Sequence, residues 1–145
     1  MAKISSISIL LMATATMASP DRPCLAAVSW GDPRVDLFGT APDTSIWHKF
    51  YTGHDWQPEK FERVPSHAGT CPSISSWGDG RLDLVWVNET YGYVLHKYFD
   101  GGRWGPSWDD AVNLGSGVGV PQTYSWGSGR LDMVGIADNG STGKV

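Results

Sequence analysis

The sequence predicts an all-β protein of repeated four-stranded antiparallel sheets, the plan of β-propeller blades, in too few copies to close a propeller. A ten-residue motif occurs three times, as SWGDPRVDLF at 29–38, SWGDGRLDLV at 76–85 and SWGSGRLDMV at 125–134. The tryptophans of the motif are 47 and 49 residues apart. Glycine and tryptophan make up 18 and 8 of the 145 residues, which suits tight turns between short aromatic strands.

Each copy of the motif predicts a β-hairpin. Trp-Gly-x-Gly/Pro-Arg favours a tight turn, because glycine allows positive φ and proline fixes φ. The residues after the turn include β-branched and aromatic side chains, which favour a strand. An Arg and an Asp two residues apart on a strand share a face, so we expect them to pair with each other or with the loop backbone. We expect the motif tryptophans to pack in the core, which gives this structural set: Trp30, Arg34, Asp36, Trp77, Arg81, Asp83, Trp126, Arg130, Asp132.

The repeats predict four strands in each complete unit of about 48 residues. The first unit covers about 24–70, with strands at 25–29, 35–40, 45–51 and 61–64. The second covers about 71–119, with strands at 73–77, 82–88, 93–99 and 112–114. The third, 120–145, holds only two strands, at 122–125 and 131–137.

Two and a half units cannot close a ring, because propellers typically have 4–8 blades. The incomplete propeller therefore belongs to a longer protein or assembles from several copies. We favour the first interpretation, because an unfinished blade is a poor closing unit. A homo-oligomer is expected if the chain is complete.

The two cysteines, Cys24 and Cys71, each precede a motif tryptophan by six residues. The third repeat has Val120 at this position, which indicates a small buried apolar site. We expect two free buried thiols. The alternative is a disulfide between neighbouring repeats, which needs an oxidising compartment.

Charge and hydropathy limit the classes of partner and the cellular compartments that the sequence predicts. The net charge is −4 and no basic run occurs, which argues against nucleic acid as a partner. No apolar stretch reaches the roughly 18 residues of a membrane span. Residues 1–18, with Lys3 before an apolar segment and small residues, predict a signal peptide and a secreted mature chain, 19–145. The alternative is a disordered leader on a cytosolic protein.

The combined pattern resembles the PLL-like β-propeller lectins of insect-pathogenic bacteria and fungi. It consists of S-W-G-x-G-R-L-D, then W/L-H-K-aromatic, then D-G-G-x-W, and the likeness covers about residues 24–140. The resemblance implies binding of glycans, often fucosylated or O-methylated, in clefts between adjacent blades. It implies no catalysis and no cofactor. The sequence departs from the pattern at Pro33, Leu95 and Ser128.

Five side chains are candidates for sugar binding. Tryptophans can present a flat apolar face to a sugar, and a neutral imidazole can donate to a hydroxyl. The candidates are Trp47, His48, Trp56, His96 and Trp104. A structural role in packing adjacent blades is the alternative for each. Lys49 and Lys97 are expected to face solvent.

Other functions remain as alternatives. G-D-G-R-L-D-L resembles the calcium loops of integrin-type repeats, but the leading acidic ligands are missing. A structural or protein-interaction propeller fragment without sugar binding is the other alternative. A glycosidase needs one particular pair of carboxylates, whereas this motif is repeated, so we expect no enzyme. We also expect no metal site, because the sequence has no cluster of Cys and His residues.

Overall fold

The computed structural model describes residues 24–136, in which the chain forms strands and loops without a helix. The first sheet has the antiparallel order β1-β2-β3-β4. Its strands are β1 (Cys24–Gly31), β2 (Arg34–Thr40), β3 (Ile46–Tyr51) and β4 (Trp56–Val64). Consecutive strands pair with each other, as expected for chain segments joined by tight turns.

The second sheet repeats this order but divides its fourth position between two strands. It contains β5 (Ser73–Ser75), β6 (Arg81–Val87), β7 (Tyr93–Asp100), β8 (Arg103–Gly105) and β9 (Val112–Ser116). Both β8 and β9 pair with β7, and residues 106–111 leave the sheet between them. A two-stranded third sheet follows, with β10 (Gln122–Tyr124) and β11 (Asp132–Val134).

The all-β prediction and the antiparallel hairpins are confirmed in the described residues. β8 was missed, because three residues beside a glycine turn give no periodicity, and β4 begins at Trp56 rather than at 61. The expected signal peptide and the chain end beyond 136 lie outside the described residues. In residues 24–136, no helix is long and apolar enough to cross a membrane.

The second sheet lies between the other two. One of its faces, with Leu82, Leu84 and Trp86, packs against Phe38 and Ile46 of the first sheet in one fully buried cluster. Its other face packs against the third sheet in a smaller cluster of Val85, Val87 and Val94 with Val118 and Met133. Each fully buried aliphatic or aromatic side chain stabilises the fold by about 1.5–3 kcal/mol, so these two interfaces hold the sheets together.

The cysteine prediction is wrong. Cys24 and Cys71 form a disulfide, with their Cα atoms 5.9 Å apart. The equal position of the two residues in consecutive repeats explains the pairing, because stacked sheets bring equivalent positions together. The disulfide joins the start of β1 to the segment that leads into β5, so it links the first sheet covalently to the second.

Candidate functional site

The repeated Arg-Asp motif forms a polar cluster on the first sheet. Arg34 donates to both carboxylate oxygens of Asp36 at 2.7 Å, and its guanidinium stacks on the Trp30 and Phe50 rings. His48 Nε2 lies 2.8 Å from Asp36 Oδ1, and its Nδ1 lies 2.5 Å from Glu62 Oε1. The buried carboxylate therefore has partners on two strands, as a buried charge requires.

Burial and hydrogen bonds have opposite effects on the pKa values of Asp36 and His48 in this cluster. Desolvation disfavours the charged form of Asp36, but hydrogen bonds from His48 and Arg34 outweigh it and lower the pKa of Asp36. Desolvation likewise disfavours the imidazolium, yet the hydrogen bonds to Asp36 and Glu62 raise the pKa of His48. The cluster thus favours an ionised carboxylate beside a protonated imidazole.

The same motif recurs in the other two sheets with fewer partners. Arg81 pairs with Asp83 and stacks on Trp77, and His96 Nε2 lies 2.8 Å from Asp83 Oδ1. In the third sheet, Arg130 pairs with Asp132 and stacks on Trp126, but the two side chains are 53% and 38% exposed. The expected Arg–Asp pairing is therefore present in all three copies.

The motif tryptophans are less buried than a core position requires. Trp30 and Trp77 are half-buried, and Trp126 is 67% exposed. Trp30 stacks on Phe99 of the second sheet, with ring centroids 5.7 Å apart. The described residues place no further sheet beyond the third, so Trp126 has no equivalent ring to cover it.

Two of the five sugar-binding candidates lie inside the interface between the first and second sheets. His48 is buried, and both of its nitrogens already contact carboxylates, which leaves none for a sugar hydroxyl. Trp104 packs edge-on against Phe38 and His48 and also contacts Phe99. Both side chains contribute to packing between the sheets.

The other three candidates lie on different surfaces. Trp47 and Trp56 are on the face of the first sheet that points away from the second, and Trp47 Nε1 donates to Ser45 Oγ at 2.7 Å. His96 is on the second-sheet face towards the third sheet. The structure therefore brings His48 and Trp104 together but does not unite the five in one site.

A cleft of about 270 Å³ lies where the end of the first sheet meets the second sheet. Its lining combines apolar side chains with an imidazole, an amide and two carboxylates. The His67, Asp109 and Asp110 side chains are exposed at its rim, whereas Asn88 is buried. Its lining residues are Pro65, Ser66, His67, Trp86, Asn88, Leu95, Asp109, Asp110 and Ala111. Concave sites that combine apolar walls with a few polar groups are typical of small-ligand binding.

One wall of the cleft is the segment that leaves β4. Ser66 Oγ accepts the Ile46 amide and donates to the Val64 carbonyl, which fixes the start of this segment. The His67 carbonyl accepts the Glu89 amide at 2.8 Å. The backbone of this wall is therefore held by both sheets, while the His67 side chain is exposed at the rim.

The facing wall depends on Lys97, and the expectation that this residue faces solvent is wrong. Lys97 is fully buried, and its ammonium donates to the carbonyls of Ser107, Trp108 and Asp110 at 2.5–2.8 Å. These bonds fold residues 106–111 over the end of the ammonium. Desolvation lowers the pKa of Lys97, against the attraction of Asp110 and Asp109. Lys97 therefore positions the two carboxylates at the rim.

Asn88 is a buried polar residue in the lining of the cleft. Its Oδ1 accepts the amides of Thr90 and Tyr91 at 3.0 and 2.9 Å, an Asx turn that orients the side-chain amide. The indole of Trp86 is 1% exposed, and its Nε1 has no acceptor among the described residues. A buried indole N–H without an acceptor costs free energy of folding, which is unusual for a cleft wall.

Sequence reasoning missed the lining of the cleft because it followed the repeat. Trp86 occupies the position that holds Gly39 in the first repeat and Gly135 in the third. Asp109 and Asp110 lie in the segment that interrupts the fourth strand. A tryptophan where the other copies have glycine was the signal that could have drawn attention to this junction.

Comparisons with known proteins add no relative. The chain matches no protein-family model and no curated protein. The functional interpretation therefore depends on the chemistry of the cleft and on the repeated motifs.

Proposed function

We propose that the chain is a carbohydrate-binding protein, a lectin for fucose-type or O-methylated glycans, that binds one sugar in the cleft between the first and second sheets. The observation that carries this proposal is the composition of the cleft, whose lining combines apolar side chains with an imidazole, an amide and two carboxylates. No bond-breaking step is part of the proposal. The sugar class comes from the motif resemblance, and the location comes from the cleft.

The lining suits a small sugar. The volume of about 270 Å³ is close to the lower end of the range of ~300–1,000 Å³ for drug-sized ligands, so a monosaccharide is the appropriate size. Asp109 and Asp110 supply acceptors for sugar hydroxyls, and the Asn88 amide supplies donors. Leu95 and Ala111 offer apolar surface for a methyl or C–H edge. A 6-deoxy or O-methylated sugar combines these two kinds of surface.

The sheet architecture supports interpretation of the repeats as propeller blades. Each complete sheet has four sequential antiparallel positions, and successive sheets pack face to face. We infer that the sheets are blades and that the cleft is an inter-blade site. This inference also explains why equivalent residues, such as Cys24 and Cys71, meet across an interface.

A glycan array followed by titration of tryptophan fluorescence with L-fucose and methylated monosaccharides tests the proposal. We expect saturable binding that Asp109→Ala and His67→Ala each weaken at least tenfold, because both side chains are exposed at the rim. Asp79→Ala is the matched control, since Asp79 is an exposed carboxylate in the turn before β6, outside the cleft. Equal binding by all variants would remove the cleft from the proposal.

A folded chain that binds no glycan would favour the second candidate, a repeat module for protein interaction. The observation behind this candidate is the apolar surface at both ends of the stacked sheets, including Leu25 and Trp126. A calcium module has less support, because Asp36 and Asp83 already accept hydrogen bonds from Arg and His side chains. Among residues 24–136, no group of three potential ligands is placed to hold a metal ion.

We also propose that the chain is secreted. The Cys24–Cys71 disulfide supports this compartment, because disulfides persist mainly in oxidising environments. The test is to recover the chain from culture medium and to determine its N-terminus and thiol content by mass spectrometry. A thiol-free product that begins after the first 18 residues supports secretion, and a chain retained inside cells with two free thiols contradicts it.

A further inference from the structure

We propose that the chain associates head to tail with a second copy of itself, the outer face of the first sheet of one copy packing on the end face of the third sheet of another. The outer face is the side of the first sheet that points away from the second, with Leu25, Val35, Leu37, Trp47, Tyr51 and Trp56. The end face is the side of the third sheet that points away from the second, with Tyr124, Trp126, Arg130, Asp132 and Val134.

The outer face has an internal counterpart that is already covered. Val35 and Leu37 correspond by repeat position to Leu82 and Leu84, which are fully buried against the first sheet. Tyr51 and Trp56 correspond to Phe99 and Trp104, which pack on the same surface. In contrast, Leu25 is 67% exposed and Trp56 is exposed as well. The same kind of surface is thus buried in one sheet and open in the other.

The end face corresponds by repeat position to the first-sheet surface on the other side of the same internal interface. Trp126 and Val134 correspond to Trp30 and Phe38, the first-sheet residues that receive the second sheet. Trp30 stacks on Phe99 at 5.7 Å, and Phe38 meets Trp104 at 6.0 Å. The equivalent contacts between two copies would join Trp126 to Tyr51 and Val134 to Trp56.

The described part of the chain, 24–136, therefore exposes both halves of an interface that it also makes internally. Contiguous exposed apolar surface of this kind marks an interaction site. A head-to-tail contact uses two different patches on each copy, so one copy can bind two neighbours, and such contacts produce rings or filaments. A second copy is the partner that carries the matching surface, with the stacking Arg and its Asp already in place.

Sedimentation velocity of the full chain over a wide range of concentration tests the association. We expect species larger than one chain, and we expect Leu25→Glu in the outer face and Trp126→Glu in the end face each to prevent them. Tyr91→Glu is the control, because Tyr91 is 69% exposed in the turn after β6, outside both faces. A wild-type chain that stays monomeric at every concentration would overturn the proposal and favour a further repeat as the natural cover of each face.

Mixing the two variants distinguishes a head-to-tail contact from a symmetric one. Leu25→Glu keeps an intact end face, and Trp126→Glu keeps an intact outer face. We therefore expect the mixture to form dimers and nothing larger, with one copy of each variant. Two variants that stay monomeric on mixing, while the wild type associates, would contradict the head-to-tail arrangement. This test needs no sugar, so its outcome is independent of the proposed lectin activity.

A disulfide between copies locates the contact. Val120 holds the position of Cys24 and Cys71, whose Cα atoms are 5.9 Å apart across adjacent sheets. In a head-to-tail pair, Val120 of one copy lies beside Cys24 of the next. Val120→Cys with Cys71→Ser should give a ladder of linked chains on a non-reducing gel, whereas Cys71→Ser alone should stop at dimers. No ladder from material that sedimentation shows to be associated would overturn the arrangement.

Discussion

The first and second sheets have the same motif and strand order but differ in what covers them. Within residues 24–136, the second sheet is packed on both faces, whereas the first is packed on one. The second sheet also replaces a continuous fourth strand with two short ones and an excursion, 106–111, that becomes a wall of the cleft. The comparison teaches that the repeat determines the fold, while departures from the repeat create the candidate site.

The largest expected difference lies at equivalent leucines. Leu84→Ala should lower the free energy of unfolding by about 3 kcal/mol, because Leu84 is fully buried between sheets and its loss leaves a cavity. Leu37→Ala, at the same repeat position on the outer face, should cost about 1 kcal/mol or less, because one side of that face is open. Urea unfolding of the two variants measures the difference.

The difference between the two leucine variants should depend on protein concentration. If two copies pack as proposed, the cost of Leu37→Ala should rise towards that of Leu84→Ala at concentrations where the chain associates. Equal costs for the two variants in the monomer would mean that the outer face is as well covered as the second sheet, which would contradict the description of that face.

The next difference concerns the two lysines of the third strands. Lys97→Met should destabilise the chain by about 2–3 kcal/mol, because three carbonyl groups lose a charged donor in a buried position. Lys49→Met should cost about 0.5 kcal/mol, since Lys49 makes one exposed hydrogen bond, to the Glu59 carbonyl. Thermal unfolding of both variants tests this prediction.

Sugar binding separates the two roles of Lys97. Where the variant remains folded, Lys97→Met should weaken glycan binding, because residues 106–111 lose the group that holds Asp109 and Asp110 at the rim. Lys49→Met should bind like the wild type. Unchanged binding by a folded Lys97→Met variant would show that the position of these carboxylates does not depend on Lys97.

The repeat explains how much the sequence could predict. Hairpins at the three motifs and the Arg–Asp pairs followed from local turn chemistry and from the alternation of side chains along a strand. The burial of Lys97 did not follow, because it depends on three backbone carbonyls from a segment without a repeat equivalent. The cleft could not be predicted either, because it depends on how the first and second sheets pack. The identities of His67 and Trp86 do not show that the two residues line one cavity.

A smaller effect comes from His48, and it depends on pH. The folded-state pKa of His48 is raised, so its stabilising contribution is fully present below the unfolded value of about 6.5 and is lost as pH rises through the folded pKa. Glu62→Gln should therefore cost about 1 kcal/mol below pH 6.5, because the partly exposed Glu62 loses a charge-assisted bond. The cost should diminish at higher pH. A cost that does not vary with pH would contradict the assignment of this effect to His48.

The smallest expected effect comes from adding the missing carboxylate to the second sheet. Val112 faces His96 in the register position where Glu62 faces His48. Val112→Glu should stabilise the chain by about 0.5 kcal/mol, because Val112 is partly exposed and the new pair is screened by solvent. Val112→Gln is the matched control, since it adds similar volume without charge. Urea unfolding of both variants measures the effect, and equal stabilities of the Glu and Gln variants would mean that a carboxylate at this position does not reach His96.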